Sequence, residues 1–173
     1  NVKPLLFEED QPVITTFVDL FRFPVKYSNP EEIRRLKMHS ANTDPEARLK
    51  GLEEVYRQLF SKYTYKFFIP YIQKHEFEAL LFANPEAFGI ENEKIQKDIE
   101  TLLTSISEPE EINSTETGHP AQRLKDIFSS YQRKYEKGSD AVDIAELIGI
   151  EPILEKCPRF RRWIETLMVE AKK

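Results

Sequence analysis

The segment Val13-Ile14-Thr15-Thr16-Phe17-Val18-Asp19 carries the clearest β-strand signal in the chain. Its residues are β-branched or aromatic up to the aspartate, and Pro12 precedes them. A continuous apolar run of this kind is typical of a strand that is buried on both faces, as in a parallel sheet. A second strand is predicted over residues 65–72, where Pro70 indicates an edge strand or a bulge because proline cannot donate a backbone hydrogen bond.

A long helix is predicted between these two strands. Asp44 and Pro45 are a helix start signal, and apolar residues then recur at helical spacing up to about residue 62. These apolar residues are Leu49, Leu52, Val55, Tyr56 and Leu59. A strand, a helical crossover and a second strand form a βαβ unit, in which the strands are parallel and the crossover is right-handed. A shorter helix is predicted upstream, from Asn29 and Pro30 to Leu36.

The chain after Gln73 is predicted to be almost wholly helical, apart from a polar loop over residues 110–119. Helices are expected over residues 75–82, 91–105 and 141–148, from the turn at residues 84–86, and from Pro120 and Pro158 onward. The predicted fold class is therefore α/β, a parallel sheet with a helical carboxyl half. Because two strands alone make only a marginal sheet, we expect further strands from a missing segment or from a partner.

Composition excludes several classes of protein. The 173 residues carry 25 Lys and Arg against 30 Asp and Glu, a formal charge of −5, and are expected to form a single domain, residues 1–173. The sequence contains no glycine-rich nucleotide loop, no apolar run that would span a membrane and no secretory leader, so the expected location is the cytoplasm. The single cysteine, Cys157, excludes a disulfide framework and predicts a buried thiol. Asn1 in place of an initiator Met indicates an excised or processed product.

Acidic side chains follow both predicted strands at the point where each strand ends. Asp19 comes directly after the first strand, and His75, Glu76 and Glu78 come after the second. Because parallel strands end at one edge of the sheet, we expect these side chains to lie close together. Carboxylates brought that close repel one another unless a hard cation neutralises them, so the sequence predicts a magnesium or manganese site.

A purely structural interpretation of the same residues stays open. Acidic residues are favoured in the first turn of a helix, so Glu76 and Glu78 could serve only to start one, and Asp19 could belong to an ordinary turn. His75 is expected to pack or to support a ligand rather than to bind metal. The spacing is His-Glu-x-Glu and not His-Glu-x-x-His, which disfavours a zinc protease.

Basic residues occur in three places in the carboxyl half. His119, Arg123 and Lys125 begin one helix and could contact phosphate, although solvated surface cations are the commoner outcome. Two further clusters contain interleaved aromatic side chains and could grip a nucleic-acid backbone. One contains Tyr131, Arg133, Lys134, Tyr135 and Lys137, and the other contains Arg159, Phe160, Arg161, Arg162 and Trp163. For Phe160 and Trp163 we favour the apolar face of a terminal helix.

Four sequence segments, in this order, resemble those of a known bacterial family. They are residues 13–21, VITTFVDLF; residues 68–82, FIPYIQKHEFEALLF; residues 109–113, PEEIN; and residues 156–160, KCPRF. Together they are similar to the family called domain of unknown function 4276, over nearly the whole chain. The resemblance implies a TOPRIM-like α/β fold, the topoisomerase-primase nuclease scaffold, and a distant relationship to the overcoming-lysogenization-defect nucleases.

The resemblance also implies a divalent metal site. Asp19 matches the first aspartate of the family's site, and Glu76 and Glu78 match its helical acids. The chain departs from the pattern in two places: the opening strand and helix with the family's catalytic glutamate are absent, and Phe21 stands where a second aspartate is expected. Of the family's basic stretch, only Arg123 is retained in this chain, and the resemblance implies that it contacts phosphate.

The function that the resemblance implies is a metal-dependent nuclease of a bacterial system, with phage defence as the implied setting. In it, Asp19, Glu76 and Glu78 hold Mg²⁺ or Mn²⁺, and Glu76, Glu78 and Arg123 act in catalysis. The implied partners are nucleic acid, an ATPase and a second copy of the chain. The alternative is a non-catalytic subunit that docks on an ATPase, or on an identical chain, through the helix of residues 159–163.

Overall fold

The computed structural model describes residues 13–20, 44–60, 68–90, 92–112 and 118–172. The chain divides into two compact units, the first comprising residues up to Lys74 and from Trp163 onward, and the second comprising His75–Arg162. The helix predicted from Asn29 lies outside the described residues.

Within its described residues, the first unit contains four short strands that pair in parallel. Strand β1 (Ile14–Thr15) pairs with β3 (Phe68–Ile69), and β2 (Val18–Asp19) pairs with β4 (Ile72–Gln73). The parallel pairing predicted for the two segments is confirmed, with Asp19 in register with Gln73.

The prediction of one continuous strand over residues 13–18, buried on both faces, is wrong. The segment breaks at Thr16 and Phe17, and Phe17 is 38% exposed. The break follows the partner segment, which is interrupted at Pro70 and Tyr71 as proline in a strand requires. The Thr16 hydroxyl bridges the interruption, because its Oγ1 accepts from the Tyr71 N–H at 3.1 Å.

Helix α1 (Pro45–Phe60) covers the strands. Asp44 Oδ1 accepts from the Glu46 N–H at 3.1 Å, which caps the helix as the sequence predicts. The apolar positions read from the sequence lie in one buried cluster with side chains of the strands. This cluster contains Ile14, Leu20, Leu49, Leu52, Val55, Tyr56, Phe68 and Ile72. Glu53 adds a hydrogen bond between α1 and β4, since its Oε1 accepts from the Ile72 N–H at 3.0 Å.

Trp163 packs within the first unit. Its ring stacks on Tyr71 with centroids 4.5 Å apart, and its Nε1 donates to Thr15 Oγ1 at 2.8 Å. Phe17 lies 5.6 Å from the same indole. The packing interpretation of Trp163 is therefore confirmed.

The second unit is helical. Its elements are the 3₁₀-helices η1 (Phe77–Ala83) and η2 (Pro109–Glu111) and the α-helices α2 (Glu86–Gly89), α3 (Glu93–Leu103), α4 (Pro120–Ser130), α5 (Ser139–Ile148) and α6 (Ile150–Lys156). Helix α7 (Pro158–Glu170) starts in this unit. The helices predicted from residues 84–86, 91–105, 141–148, Pro120 and Pro158 are confirmed, with small shifts of their ends. Helix α6 was not predicted. Gly149 ends α5 with φ 71°, a left-handed conformation that glycine adopts without strain.

The helix predicted over residues 75–82 is present, but it begins at Phe77 and is not an α-helix. The segment is the 3₁₀-helix η1, in which Glu78–Ala83 are all buried, so there is no solvent face. The helices α4, α5 and α6 and the 3₁₀-helix η2 pack against η1. A segment enclosed in this way has no amphipathic period from which a helix type can be read.

The polar loop predicted over residues 110–119 is wrong at its start. Glu110 lies in η2 and is 2% exposed, and its two oxygens accept from the backbone N–H groups of Arg159 and Phe160 at 2.8 and 3.1 Å. The carboxylate thus satisfies two N–H groups of the first turn of α7, which have no partner within the helix. Cys157 is fully buried as predicted.

Within the described part of the chain, no helix has the length and apolar character needed to cross a bilayer.

Candidate functional site

Two carboxylates enter the interior of the second unit where the chain leaves β4. Glu76 is 6% exposed and Glu78 is 1% exposed. Glu76 has an extended backbone (φ −68°, ψ 161°) at the start of η1, and both side chains reach the same cation, described below. Acidic side chains are rarely buried to this degree unless they are paired, so their partners define the site. His75, the residue before, is only partly buried.

Glu76 is held by three donors. Its Oε2 lies 2.8 Å from His119 Nδ1 and accepts from the Ala121 N–H at 3.1 Å, and its Oε1 accepts from Lys137 Nζ at 2.8 Å. Because an ionised carboxylate has no proton to give, the short contact to His119 assigns the Nδ1 proton to the imidazole. His119 and Ala121 both lie at the start of α4, so the carboxylate also faces a helix N-terminus, which favours negative charge.

These contacts set the pKa of Glu76. Burial acts to raise this pKa, but the hydrogen bonds from Lys137, Ala121 and His119 outweigh burial, and the pKa lies below its ordinary value. The Glu76 carboxylate is therefore ionised in the folded protein at neutral pH.

Lys137 stands between the two carboxylates. Its Nζ lies 2.8 Å from Glu76 Oε1 and 3.2 Å from Glu78 Oε2. Burial acts to lower the pKa of Lys137, but the bond to Glu76 and the charge of Glu78 raise it above its ordinary value. Its side chain is 43% exposed, so the ammonium reaches the buried acids from the surface.

Within the described residues, Glu78 has fewer hydrogen-bond partners than Glu76. Its Oε2 is buried and makes no hydrogen bond within the described residues, since the Lys137 contact is an ion pair without hydrogen-bond geometry. Tyr135 is in a similar position: it is 2% exposed, its ring packs edge-on against Phe128, and its Oη has no hydrogen-bond partner in the described part of the chain. Burial and the charges of Glu78, Asp140 and Glu76 raise the pKa of Tyr135, which keeps the phenol protonated.

Arg123 lies in α4, in the helix turn after His119. Its Nε donates to the Gly118 carbonyl at 2.6 Å, and its side chain lines an open cleft together with Asp98 and Asp126. The two acids in the cleft lower the positive potential that a phosphate would meet there.

Asp19 belongs to the first unit. It ends β2, is partly buried and lies beside Gln73 of β4, as the position after a parallel strand predicts. Glu76 and Glu78 belong to the second unit, so the meeting of all three acids stays a prediction.

The site residues that sequence reasoning missed are His119, Tyr135 and Lys137 as partners of the acid pair. His119 was predicted to be a solvated or phosphate-binding residue, and Lys137 to be part of a basic cluster that could grip a nucleic-acid backbone.

A hard divalent cation fits this donor set in part. Carboxylates are the ligands that Mg²⁺ and Mn²⁺ prefer, and Mg²⁺ commonly uses one or two of them while keeping waters. Glu78 Oε2, which is buried and has no hydrogen bond among the described residues, is such a ligand atom. Over the described ranges, however, no group of three or more His, Cys, Asp and Glu side chains is arranged to hold a metal ion. These residues therefore supply a two-carboxylate site and not a complete protein cage.

Comparisons with known proteins give a family but no characterised relative. No curated protein and no solved structure matches the chain. The family model for a domain of unknown function, DUF4276, matches residues 1–168, which is nearly the entire sequence. The chain therefore belongs to the DUF4276 family.

Proposed function

We propose that this protein is a Mg²⁺- or Mn²⁺-dependent phosphodiester hydrolase acting on nucleic acid in the bacterial cytoplasm, with a TOPRIM-like scaffold. The observation that supports it is the buried pair Glu76 and Glu78 gathered around one cation, Lys137. Asp19, Glu76 and Glu78 are the proposed ligands. Natural proteins rarely bury two neighbouring carboxylates without a partner of positive charge, and functional sites are where such groups concentrate.

The chemistry assigned to the site is hydrolysis. A bound divalent cation would supply a water of lowered pKa and would stabilise charge on the leaving oxygen. The chain's own residues prepare the acids for this role: His119 and the Ala121 N–H fix one oxygen of Glu76, so its carboxylate is oriented before any ligand arrives. Arg123 is the proposed phosphate contact, because its guanidinium is held on α4 by the Gly118 carbonyl.

The second candidate function is a non-catalytic subunit that binds an ATPase or another copy of the chain. One observation favours it: Glu76 already has three donors within its own unit, as a purely structural ion pair would. The proposed docking surface is the start of α7, where Arg161 and Arg162 are exposed and Phe160 is buried.

A cleavage assay on the purified full-length protein separates the two functions. Single- and double-stranded DNA and RNA are incubated with Mn²⁺, Mg²⁺ or EDTA, using the wild type, Asp19→Asn, Glu78→Gln and Lys134→Met. Lys134 is the matched control, since it belongs to the same loop as Lys137 but has an 82% exposed side chain that pairs with Glu136.

The hydrolase predicts metal-dependent cleavage that falls by about a hundredfold or more in Asp19→Asn and Glu78→Gln, and is unchanged in Lys134→Met. Circular dichroism confirms that each variant is folded. Absence of cleavage, or cleavage that survives both acidic substitutions, would leave the binding function.

A further inference from the structure

The loop between α4 and α5 brings two side chains to the acid pair. Residues 133–136 form neither helix nor strand, and Tyr135 and Lys137, two positions apart, both belong to the environment of Glu78. A Cβ added at the neighbouring Gly138 would meet no atom within 4 Å, so the loop is not tightly packed at this point.

The charges within this cluster do not balance. Glu76 and Glu78 bring two negative charges, and Lys137 is the one lysine or arginine that pairs with them within the described residues. Glu76 accepts a hydrogen bond from Lys137, while Glu78 Oε2 forms an ion pair with Lys137 at 3.2 Å and has no hydrogen bond over the described ranges. Within the described residues, Glu78 is 1% exposed and its Oε2 has no hydrogen-bond partner. A buried carboxylate oxygen in this state is energetically unfavourable, so a further cation or hydrogen-bond donor beside Glu78 would stabilise it.

A second observation, independent of the acids, points to a ligand at the same place. Tyr135 Oη is buried with no hydrogen-bond partner in the described part of the chain, close enough to Glu78 and Glu76 for their charges to act on it. A phenol oxygen is able to accept from a metal-bound water or to donate to a phosphate oxygen. In the part of the chain that the structure describes, a phenol and a carboxylate oxygen of one buried cluster thus both lack a hydrogen bond, which is typical of a site that completes its bonds with a bound species.

We propose that Lys137 is a resident cation of this site, which a divalent metal ion displaces from Glu76 and Glu78 on binding. The inference rests on the metal site of the proposed function, and it adds that Lys137 and the metal ion compete for the same two carboxylates. Lys137 suits this role because its stem reaches in from the surface, so its ammonium is able to return to water without opening the core. The ion binds only by an exchange of cations, and the affinity of the site is therefore lower than its two carboxylates alone would give.

The first test measures Mn²⁺ affinity directly. Isothermal titration or the Mn²⁺ electron paramagnetic resonance signal is recorded for the wild type, Lys137→Met, Lys137→Arg, Glu78→Gln and Lys134→Met. Removing the competing charge is expected to tighten Mn²⁺ binding by about tenfold in Lys137→Met, and Glu78→Gln to weaken it by at least about tenfold. Lys137→Arg keeps the charge and is expected to stay within about threefold of the wild type, as is Lys134→Met. Unchanged or weaker Mn²⁺ binding in Lys137→Met would overturn the proposal.

The second test needs no variant and so does not depend on the stability of Lys137→Met. The wild type is treated with an amine-acetylating reagent with and without Mg²⁺, and modification of each lysine is read by mass spectrometry. Lys137 is expected to react several-fold faster when Mg²⁺ is bound, because its ammonium then leaves the acids, while the exposed Lys134 reacts equally in both states. Equal or slower modification of Lys137 in Mg²⁺ would contradict the exchange.

These readouts distinguish failure of the inference from failure of the hydrolase. Mn²⁺ binding with the exchange signature, but without cleavage of nucleic acid, supports the inference and rejects the hydrolase. Metal-dependent cleavage with no effect of Lys137→Met on Mn²⁺ affinity supports the hydrolase and rejects the inference.

Discussion

His119 Nδ1 donates to Glu76 Oε2 at 2.8 Å, joining residues 43 positions apart. The bond ties the start of η1 to the start of α4 within the second unit. It also couples the orientation of the buried carboxylate to a side chain that is itself 28% exposed. The first prediction follows from this bond.

Replacing His119 by Ala should destabilise the protein by about 1–3 kcal/mol, the usual effect of removing a donor from a buried charged acceptor. His119→Asn offers an amide donor and a good helix cap, so its loss should be smaller. Urea unfolding of both variants measures the difference. A loss below about 0.5 kcal/mol in His119→Ala, as at an ordinary surface position, would show that the bond does not hold Glu76.

The stability of the protein should depend on pH through Glu76. Its folded pKa lies below the usual 4.5, so its contribution is present above that pH and is lost as the pH falls through the folded value. Glu76→Gln should therefore be less stable than the wild type at pH 7 but should lose less stability below about pH 4.5. Urea unfolding between pH 7 and pH 3 gives the two curves, and parallel curves would contradict the assignment.

The pH dependence of stability that arises from Glu110 should have the opposite sign. Burial raises its pKa despite the hydrogen bonds from the N–H groups of Arg159 and Phe160, so its contribution is full below pH 4.5 and is lost as the pH rises through the folded value. Wild-type stability should therefore improve relative to Glu110→Gln as the pH falls from 7. A difference that does not change with pH would reject this assignment.

The same carboxylate caps the first turn of α7, and Glu110→Ala removes both acceptors. We expect a loss of about 1–3 kcal/mol for Glu110→Ala at pH 7, and a clearly smaller loss for Glu110→Gln, which keeps one carbonyl oxygen. Thermal or urea unfolding measures both. Equal stability of Glu110→Ala and the wild type would show that solvent satisfies these N–H groups equally well.

We expect the main role of Trp163 to be stabilisation of the folded protein, and not binding. Trp163→Leu loses the stack on Tyr71 and the bond to Thr15, and should destabilise the protein by about 2–4 kcal/mol. Trp163→Phe keeps an aromatic ring and should lose about half as much. If Trp163→Leu unfolds like the wild type but binds nucleic acid more weakly, the side chain belongs to a binding surface instead.

Much of the secondary structure could be predicted from local sequence. Helix α1 has a cap at Asp44, an apolar face of regular period and a solvent face, and these fix its type and its start. The parallel pairing followed from the length of the crossover between the two strand segments. The interruption of β1 and β2 depends on hydrogen bonds to a segment more than fifty residues away, such as the bond between Thr16 and Tyr71, and local sequence does not contain that information.

The candidate site, too, could be predicted from local sequence only in part. Glu76 and Glu78 stand out by their position after a strand, whereas Tyr135 and Lys137 become part of the site only because the loop before α5 folds over η1. Basic residues interleaved with aromatic ones indicated a cluster that could grip a nucleic-acid backbone, and not a partner for buried acids. Ion pairs between residues about sixty positions apart are set by tertiary packing and leave no local pattern.

An anomalous difference map from crystals of the protein soaked in Mn²⁺ tests the central claim most directly. The account predicts a peak about 2.0–2.3 Å from a carboxylate oxygen of Glu78, with Glu76 or Asp19 as a further ligand and Lys137 Nζ withdrawn from the pair. A map without a peak at this place, in which Lys137 still bridges Glu76 and Glu78, would contradict it.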